Sequence, residues 1–176
     1  MHPHANYEII TIVLEGELEH NDSHLNSGII HPNQVQIMSA GNGILHSEAN
    51  AGKTMLHLLQ IWLTPAQKGG EPSWASHKFN PSDFKNKLLP IVSGSENENA
   101  PLVMRQNATL YRSILDKNKS VSHSFENERG YLFIISGELS VGKEKLLAGD
   151  SMRIKGEKKT ELTANPQVDF ILFDLP

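Results

Sequence analysis

The 176-residue sequence contains no cysteine, which excludes disulfide bonds, thiolate metal sites and thiol nucleophiles. It also lacks any apolar run close to the roughly 20 residues that a membrane-spanning helix needs. Aromatic residues make up only 6% of the chain, and the formal net charge is -4. Because nucleic acids and anionic membranes both attract basic surfaces, this charge argues against either as a direct partner.

Histidine is abundant, with nine residues. Metal or acid-base chemistry must therefore use imidazole and carboxylate groups. Eight of the nine histidines lie between His2 and His77. Residues 1–100 carry 5 basic and 10 acidic side chains, a net charge of -5, whereas residues 101–176 carry 11 and 10, a net charge of +1. We therefore expect the two parts of the chain to have different roles. The N-terminus has no signal-peptide pattern, so we expect a cytoplasmic location.

Short β-branched runs with a period of two dominate the sequence and predict a mostly β fold. Residues 64–104 are rich in Gly, Pro and polar side chains, which predicts connecting structure with a short helix in 80–89, N-capped by Ser82. The predicted strands cover residues 8–16, 16–22, 28–32, 35–40, 43–50, 54–63, 108–115, 131–142, 145–154, 158–164 and 168–176.

A faint internal repeat relates the two parts of the chain. The segments IVLEGELE (12–19) and FIISGELS (133–140) share an apolar strand, a Gly-Glu-Leu turn and a polar strand. Repetition of this unit at about half the chain length indicates two copies of one β-barrel module. We therefore predict two domains, residues 1–100 and residues 101–176, with the histidines concentrated in the first.

Two pairs of polar residues have the spacing of ligands on one face of a strand. His2 and His4 are two residues apart, as are His46 and Glu48, and side chains at i and i+2 point the same way in a strand. If the pairs converge, they form a site of three imidazoles and one carboxylate, which suits Fe(II), Mn, Co, Ni, Cu(II) or Zn. Spacing alone leaves open a frayed terminus and an ordinary polar strand end.

Three segments carry a more specific signal: HPHANYEIITIVLEGELEHNDS, VQIMSAGNGILHSEAN and LHLLQIWLTP. They resemble the pirin family of the cupin superfamily, and especially its bacterial pirin-like quercetin 2,3-dioxygenase branch. The resemblance implies a bicupin fold of two β-barrel or jelly-roll domains, with metal in the first domain only. It identifies His2, His4, His46 and Glu48 as ligands of one divalent transition metal, with Fe(II) preferred over Cu, Mn, Ni, Co or Zn.

The resemblance also implies an activity, the O2-dependent opening of a flavonol ring with release of carbon monoxide. Glu48 would be the catalytic residue, as a metal ligand or as the base for the substrate hydroxyl. The expected partners are then a small flavonol-like aromatic substrate and O2. Two alternatives remain: a metal-responsive regulatory module that binds a protein, and a degenerate remnant. We expect four side chains to line the pocket: Gln36, Met38, His57 and Gln60.

The chain departs from the family pattern near its start. Pirins carry a further segment ahead of the HPH motif, so we expect a first barrel that lacks its leading strands, with open edges that favour self-association into a homo-oligomer. Glu8 is often a ligand in other cupins, and here we expect it to support a ligand. His20, His24 and His31 lie in polar segments, for which we predict surface positions. His77 and His123 have no partner by spacing.

Overall fold

The computed structural model describes residues 1–95 and 98–176, which form an almost entirely β structure, as predicted. A 3-10 turn over Pro81–Phe84 is the helical element among these residues, and the described chain contains no helix long and apolar enough to cross a membrane. The first eight strands are β1 (His2–His4), β2 (Glu8–Glu15), β3 (Leu18–Asp22), β4 (Ser27–Ile30), β5 (Gln34–Ser39), β6 (Ile44–Asn50), β7 (His57–Leu63) and β8 (Ser73–Lys78). The remaining strands are β9 (Leu89–Ser93), β10 (Leu102–Val103), β11 (Thr109–Leu115), β12 (Ser120–Ser124), β13 (Arg129–Val141), β14 (Glu144–Leu147), β15 (Ser151–Lys155) and β16 (Lys159–Leu175).

The chain forms two compact units. The first comprises Met1–Phe79 together with Pro101–Gln106, and the second comprises Asn80–Ala100 together with Asn107–Pro176. This division differs from a single cut after residue 100, because the segment expected to connect the domains is shared about equally between the two units.

The first unit consists of two antiparallel four-stranded sheets, in the orders β1-β6-β3-β4 and β7-β2-β5-β8. Apolar side chains of the two sheets pack together, among them Ile9 and Met38 with Ile44, and Val13 with Leu18. All five are at most 3% exposed. Full burial of each such side chain contributes about 1.5–3 kcal/mol, so this layer fixes the two sheets on which the polar residues of interest lie.

The second unit is built on an antiparallel sheet in the order β9-β11-β16-β13-β14, with β12 also pairing with β16 and β15 with β13. Its core includes Leu132, Leu139 and Phe170. A largely buried ion pair joins Arg112 to Asp169, with Nη2 to Oδ2 at 2.7 Å. The core of this unit thus consists of aliphatic and aromatic side chains, and the charges of Arg112 and Asp169 are paired with each other.

The prediction for residues 64–104 was wrong in three respects. The segment contains β8, β9 and β10, because its half-buried strands are flanked by Gly and Pro residues that conceal their alternation. The expected helix is one 3-10 turn, and its N-cap is Asn80 rather than Ser82, with the Asn80 N–H donating to Asp83 Oδ2 at 2.9 Å. Residues 96–97 of the expected linker lie outside the described residues.

Strand boundaries in the second unit also differ from the predictions. The run expected over 145–154 is two strands, β14 and β15, separated by a turn at Gly149 with φ of 87°. The two strands expected near the C-terminus are one long strand, β16. Strand β12 was not predicted, because its serine-rich sequence carries little apolar signal.

Candidate metal centre

Strand pairing brings the four expected ligands to one face of a sheet. Strands β1 and β6 are antiparallel neighbours, with His2 opposite His46 and His4 opposite Ile44. Residues directly opposite each other in such a pair point to the same face, as do residues two apart on one strand. The side chains of His2, His4, His46 and Glu48 therefore share one face, as their spacing predicted.

Three imidazoles of this set form a tight group. The ring centroids are 4.8 Å apart for His2 and His4, 4.4 Å for His2 and His46, and 4.9 Å for His4 and His46. Their potential ligand nitrogens lie within 4.8 Å of one another. The group runs from the surface inward, because His2 is exposed, His4 is half-buried and His46 is 1% exposed.

The environment keeps the imidazoles of His4 and His46 neutral. Burial, followed by the charges of neighbouring imidazoles with His2 foremost, lowers the pKa of His46 to about 4. Burial and the adjacent His2 also lower the pKa of His4, and Glu48 opposes this only in part. A neutral imidazole has a free lone pair, which is the form that binds a metal ion.

Several buried imidazole nitrogens lack a hydrogen-bond partner within the described part of the chain. They are His4 Nε2, both ring nitrogens of His46, and Nδ1 of His20. Leaving a buried polar atom unpaired costs about 1–3 kcal/mol, so four such atoms in one place are unusual for a purely structural cluster. Clustered imidazoles with one carboxylate fit a divalent transition metal.

Glu48 is held by two glutamines of the opposite sheet. Gln36 Nε2 donates to Glu48 Oε1 at 2.7 Å, and Gln60 Nε2 donates to Glu48 Oε2 at 2.6 Å. Each amide oxygen accepts from an indole N–H, Trp74 to Gln36 at 2.9 Å and Trp62 to Gln60 at 3.0 Å. Because an indole can only donate, these contacts fix which end of each amide faces Glu48. Gln36 and Gln60 were among the residues expected to line the pocket.

His20 is the site residue that the sequence prediction missed. It is 0% exposed and stacks on Trp74, with ring centroids 5.4 Å apart and planes 14° apart. In the pairing of β3 with β6 it lies opposite Glu48, and Asp22 lies opposite His46. The predicted surface position was therefore wrong. The sequence did carry one signal of the true position, because His20 and Asp22 have the same two-residue spacing as His46 and Glu48.

Asp22 is an anchored carboxylate beside this cluster. Its Oδ2 lies 3.4 Å from His20 Nε2 and also accepts from Asn26 Nδ2 at 2.9 Å, while Oδ1 accepts the N–H groups of His24 and Asn26. Burial alone would raise the pKa of Asp22, but these hydrogen bonds outweigh it and hold the pKa below its usual value. Asp22 is therefore ionised at neutral pH.

Other residues expected near the site lie elsewhere. The buried Glu8 carboxylate accepts hydrogen bonds at Oε2 from Ser39 Oγ at 2.7 Å and from Arg105 N–H at 3.0 Å, so these contacts fix the chain at residue 105 rather than a ligand. His57, which we expected to line the pocket, is exposed, and Met38 packs in the apolar core.

The remaining histidines lie outside the group of imidazoles. His24 and His31 are exposed, as predicted, and His77 is also exposed. His123, which had no partner by spacing, is buried in the second unit with Nε2 3.1 Å from Asp174 Oδ2. Gly41 and Gly43, just before β6, both have positive φ, at 49° and 153°.

Two aromatic side chains lie on one side of His4. The Trp62 ring meets the His4 ring edge-on at a centroid distance of 4.7 Å, and Tyr7 lies 5.4 Å from Trp62. A shallow, open groove of about 570 Å³ is lined by His4 and also by Pro3 and Leu45, which alternate with the histidines along β1 and β6 and lie on the opposite face of these strands.

Comparison with known proteins gives consistent similarities. Residues 1–63 match the Pirin family, and residues 91–175 match the quercetinase C-terminal cupin domain. A quercetin 2,3-dioxygenase of Escherichia coli K12 is 34% identical over 177 residues, covering 99% of this chain and 75% of that protein. A pirin-like protein of Caulobacter vibrioides is 34% identical over 174 residues, covering 98% and 75%.

Solved structures agree with these sequence matches. YhhW of Escherichia coli superposes with a TM-score of 0.92 at 34% identity, covering 99% of this chain and 74% of that chain. The same bacterial pirin in complex with nickel(II) gives a TM-score of 0.91 at 34% identity, covering 99% and 75%. The two-unit β fold of the present chain is thus the fold of these bicupin structures.

Proposed function

The chain belongs to the pirin family, and we propose that it is a metal-dependent dioxygenase of the pirin-like quercetinase type. The reaction opens the central ring of a flavonol, incorporates both atoms of O2 and releases one ring carbon as carbon monoxide, so it needs no external reductant. The observation that supports this most is a group of buried imidazole nitrogens that have no hydrogen-bond partner among the described residues and lie beside the Glu48 carboxylate, which two glutamines hold in place.

The proposed metal ligands are His2, His4, His46 and Glu48, and the proposed ion is Fe(II). The donor set also accepts Ni, Co, Mn, Cu or Zn. When bound, the ion would supply Lewis-acid stabilisation of the deprotonated flavonol hydroxyl. A nickel(II) complex of the similar bacterial pirin YhhW supports the choice of a divalent ion.

Glu48 is the proposed catalytic residue. Each of its oxygens already accepts one amide hydrogen bond, which leaves a second lone pair on each oxygen for a ligand bond or a proton. A carboxylate held in this way takes the proton of the substrate hydroxyl without first reorganising. Trp62 and Tyr7, both partly exposed beside His4, offer aromatic surface against which a planar flavonol can stack.

The decisive experiment mixes metal-loaded protein with quercetin without oxygen, then admits O2 and measures carbon monoxide and the loss of flavonol absorbance. We expect one CO per flavonol consumed. The Glu48→Gln variant should lose at least about 10²-fold in turnover, in the range of general-base removal. The matched control is Glu19→Gln, an exposed carboxylate on β3, which should retain activity. No CO from protein with one equivalent of metal would refute the proposal.

A second candidate function is a metal-responsive module that binds another protein. The aromatic pair of Tyr7 and Trp62, 40% and 48% exposed beside His4, favours this alternative because it would couple a binding surface to the metal site. Binding of a candidate partner should then differ between Fe(II)-loaded and Fe(III)-loaded protein and decrease in Trp62→Ala. Equal binding in both metal states would exclude a sensor.

A further inference from the structure

The sheet face that carries His2, His4 and His46 holds a fourth imidazole, that of His20. Their ligand atoms form two groups that share one member: His2, His4 and His46 make the outer group, and His20, His46 and Glu48 make the inner group. The atoms within each group lie within 4.8 Å of one another. The carboxylate is thus grouped with His20 and not with the two imidazoles of β1.

His20 has the environment of a metal-binding histidine. It is fully buried, and its Nδ1 has no hydrogen-bond partner among the residues that the structure describes. Its other ring nitrogen, Nε2, lies 3.4 Å from Asp22 Oδ2. Metal-bound histidines commonly direct their second nitrogen at a carboxylate, which fixes the tautomer and leaves the lone pair on the ligating nitrogen. Asn26 in turn holds Asp22 in place.

The outer group is attached less firmly than the inner group. His2 and His4 lie on β1, which is three residues long and at the edge of its sheet, whereas His20 and His46 lie on interior strands. A short edge strand has few backbone hydrogen bonds and opens more readily than interior strands do. A metal ion held only by the outer group would be released whenever β1 opens.

We propose that His20, His46 and Glu48 form an inner binding position for the divalent ion. This position retains the ion when His2 and His4 of β1 do not bind it. The inference rests on the proposed metal centre and adds a ligand to it. In the opposing interpretation, His20 is a structural residue that only stacks on Trp74 and contacts Asp22.

The test compares Co(II) binding to four proteins by equilibrium dialysis and by the visible absorption of bound Co(II). They are the wild type, His2→Ala/His4→Ala, the same double variant with His20→Phe, and the double variant with His57→Phe. Phenylalanine preserves the ring that stacks on Trp74 and removes the donor nitrogens. His57 is an exposed histidine outside both groups and is the matched control.

We expect the double variant to bind one equivalent of Co(II), more weakly than the wild type. Adding His20→Phe should weaken binding at least tenfold further, whereas adding His57→Phe should leave it unchanged. Equal affinity of the double variant with and without His20→Phe overturns the inner position while wild-type binding still stands. Absence of Co(II) uptake by the wild type would instead refute the proposed metal centre itself.

A second measurement does not depend on whether His20→Phe folds. The double variant, labelled with 15N-histidine, is titrated with Zn(II) and followed by NMR. Two buried imidazoles, those of His20 and His46, should each show one ring nitrogen with a large chemical-shift change. A change at His46 alone would assign His20 a structural role and overturn the proposal.

Discussion

At the scale of single residues, the lowered pKa of His46 links the stability of the fold to pH. The pKa of His46 is lowered to about 4, mainly by burial, whereas an exposed histidine in an unfolded chain has a pKa near 6.5. Between these values the unfolded state binds more protons than the folded state. Stability therefore rises with pH across this window, and it is lost as pH falls from about 6.5 towards 4.

This shift predicts a pH-dependent stability of the metal-free protein. The free energy of unfolding should decrease by about 2–3 kcal/mol between pH 7 and pH 4.5. In His46→Asn the decrease should be smaller, because the buried titrating group is gone. Urea denaturation at several pH values measures it, with the exposed His24→Asn as control. The same slope in His46→Asn and the wild type would contradict the prediction.

A second prediction concerns the two glutamine hydrogen bonds that hold the Glu48 carboxylate. Removing the amide in Gln60→Ala frees Glu48 Oε2, and loss of a group that orients a ligand typically weakens metal binding about 10-fold to 100-fold. Calorimetric titration with Ni(II) measures the change. The exposed Gln67→Ala, which lies outside the site, should bind as the wild type does. Unchanged affinity in Gln60→Ala would indicate that Gln36 alone holds the carboxylate.

The site residues also show what could be predicted from the sequence and what could not. The pairs His2 with His4 and His46 with Glu48 could be found because a strand's period of two makes spacing equivalent to direction. His20 has the same spacing to Asp22, yet its polar neighbours suggested a turn. Its position is set by pairing with β6, and strand pairing between distant segments is not encoded in local spacing.

At the scale of elements, the turn before β6 positions His46 and Glu48. Gly41 has φ of 49°, and a Cβ built there would lie 2.3 Å from Gly70 O, so no other residue fits. Its carbonyl accepts from Asn6 N–H at 2.9 Å, and Asn42 N–H donates to Gly70 O at 2.8 Å. The turn thus joins the end of β1 to the start of β6 and to the loop before β8.

Substitution of this glycine should therefore damage the site more than a comparable turn elsewhere. Gly41→Ala should lower stability by more than about 1 kcal/mol and weaken metal binding, because both φ strain and a backbone clash oppose it. Gly142→Ala is the matched control, since φ there is 60° but nothing lies within 4 Å of an added Cβ. Thermal unfolding and Ni(II) titration measure both effects. Equal losses in the two variants would show that strain alone matters.

The strands that the sequence did not predict, β8 and β12 among them, were missed for one physical reason. The long apolar strands are evident from their composition, as in β2, where four of the six consecutive buried residues are Ile or Val, because burial favours apolar side chains. Strands β8 and β12 are mostly exposed and rich in Ser, so their backbone pairing rather than their composition makes them strands. Hydrogen bonding to β5 and β16 determines these elements, and a local pattern cannot report it.

At the scale of the whole molecule, every residue of the candidate metal centre belongs to the first unit. A ligand that binds only the folded state stabilises it by RT ln(1 + [L]/Kd), about 2.7 kcal/mol at a concentration of 100 Kd. Metal binding would therefore stabilise the strands that carry the candidate ligands, namely β1, β3 and β6. The second unit has its own apolar core and its own buried ion pair, so its local stability does not depend on those ligands.

Hydrogen-deuterium exchange with and without Ni(II) should therefore separate the two units. At 100 Kd of Ni(II), we expect amides of β3 and β6 to exchange up to about 100-fold more slowly, while amides of β13 and β16 keep their rates. The His46→Asn variant, which removes the imidazole shared by both groups, should lose the effect in the first unit. Equal slowing in β6 and β16 would mean that both units open in one cooperative step, and that metal binding stabilises the chain as a whole.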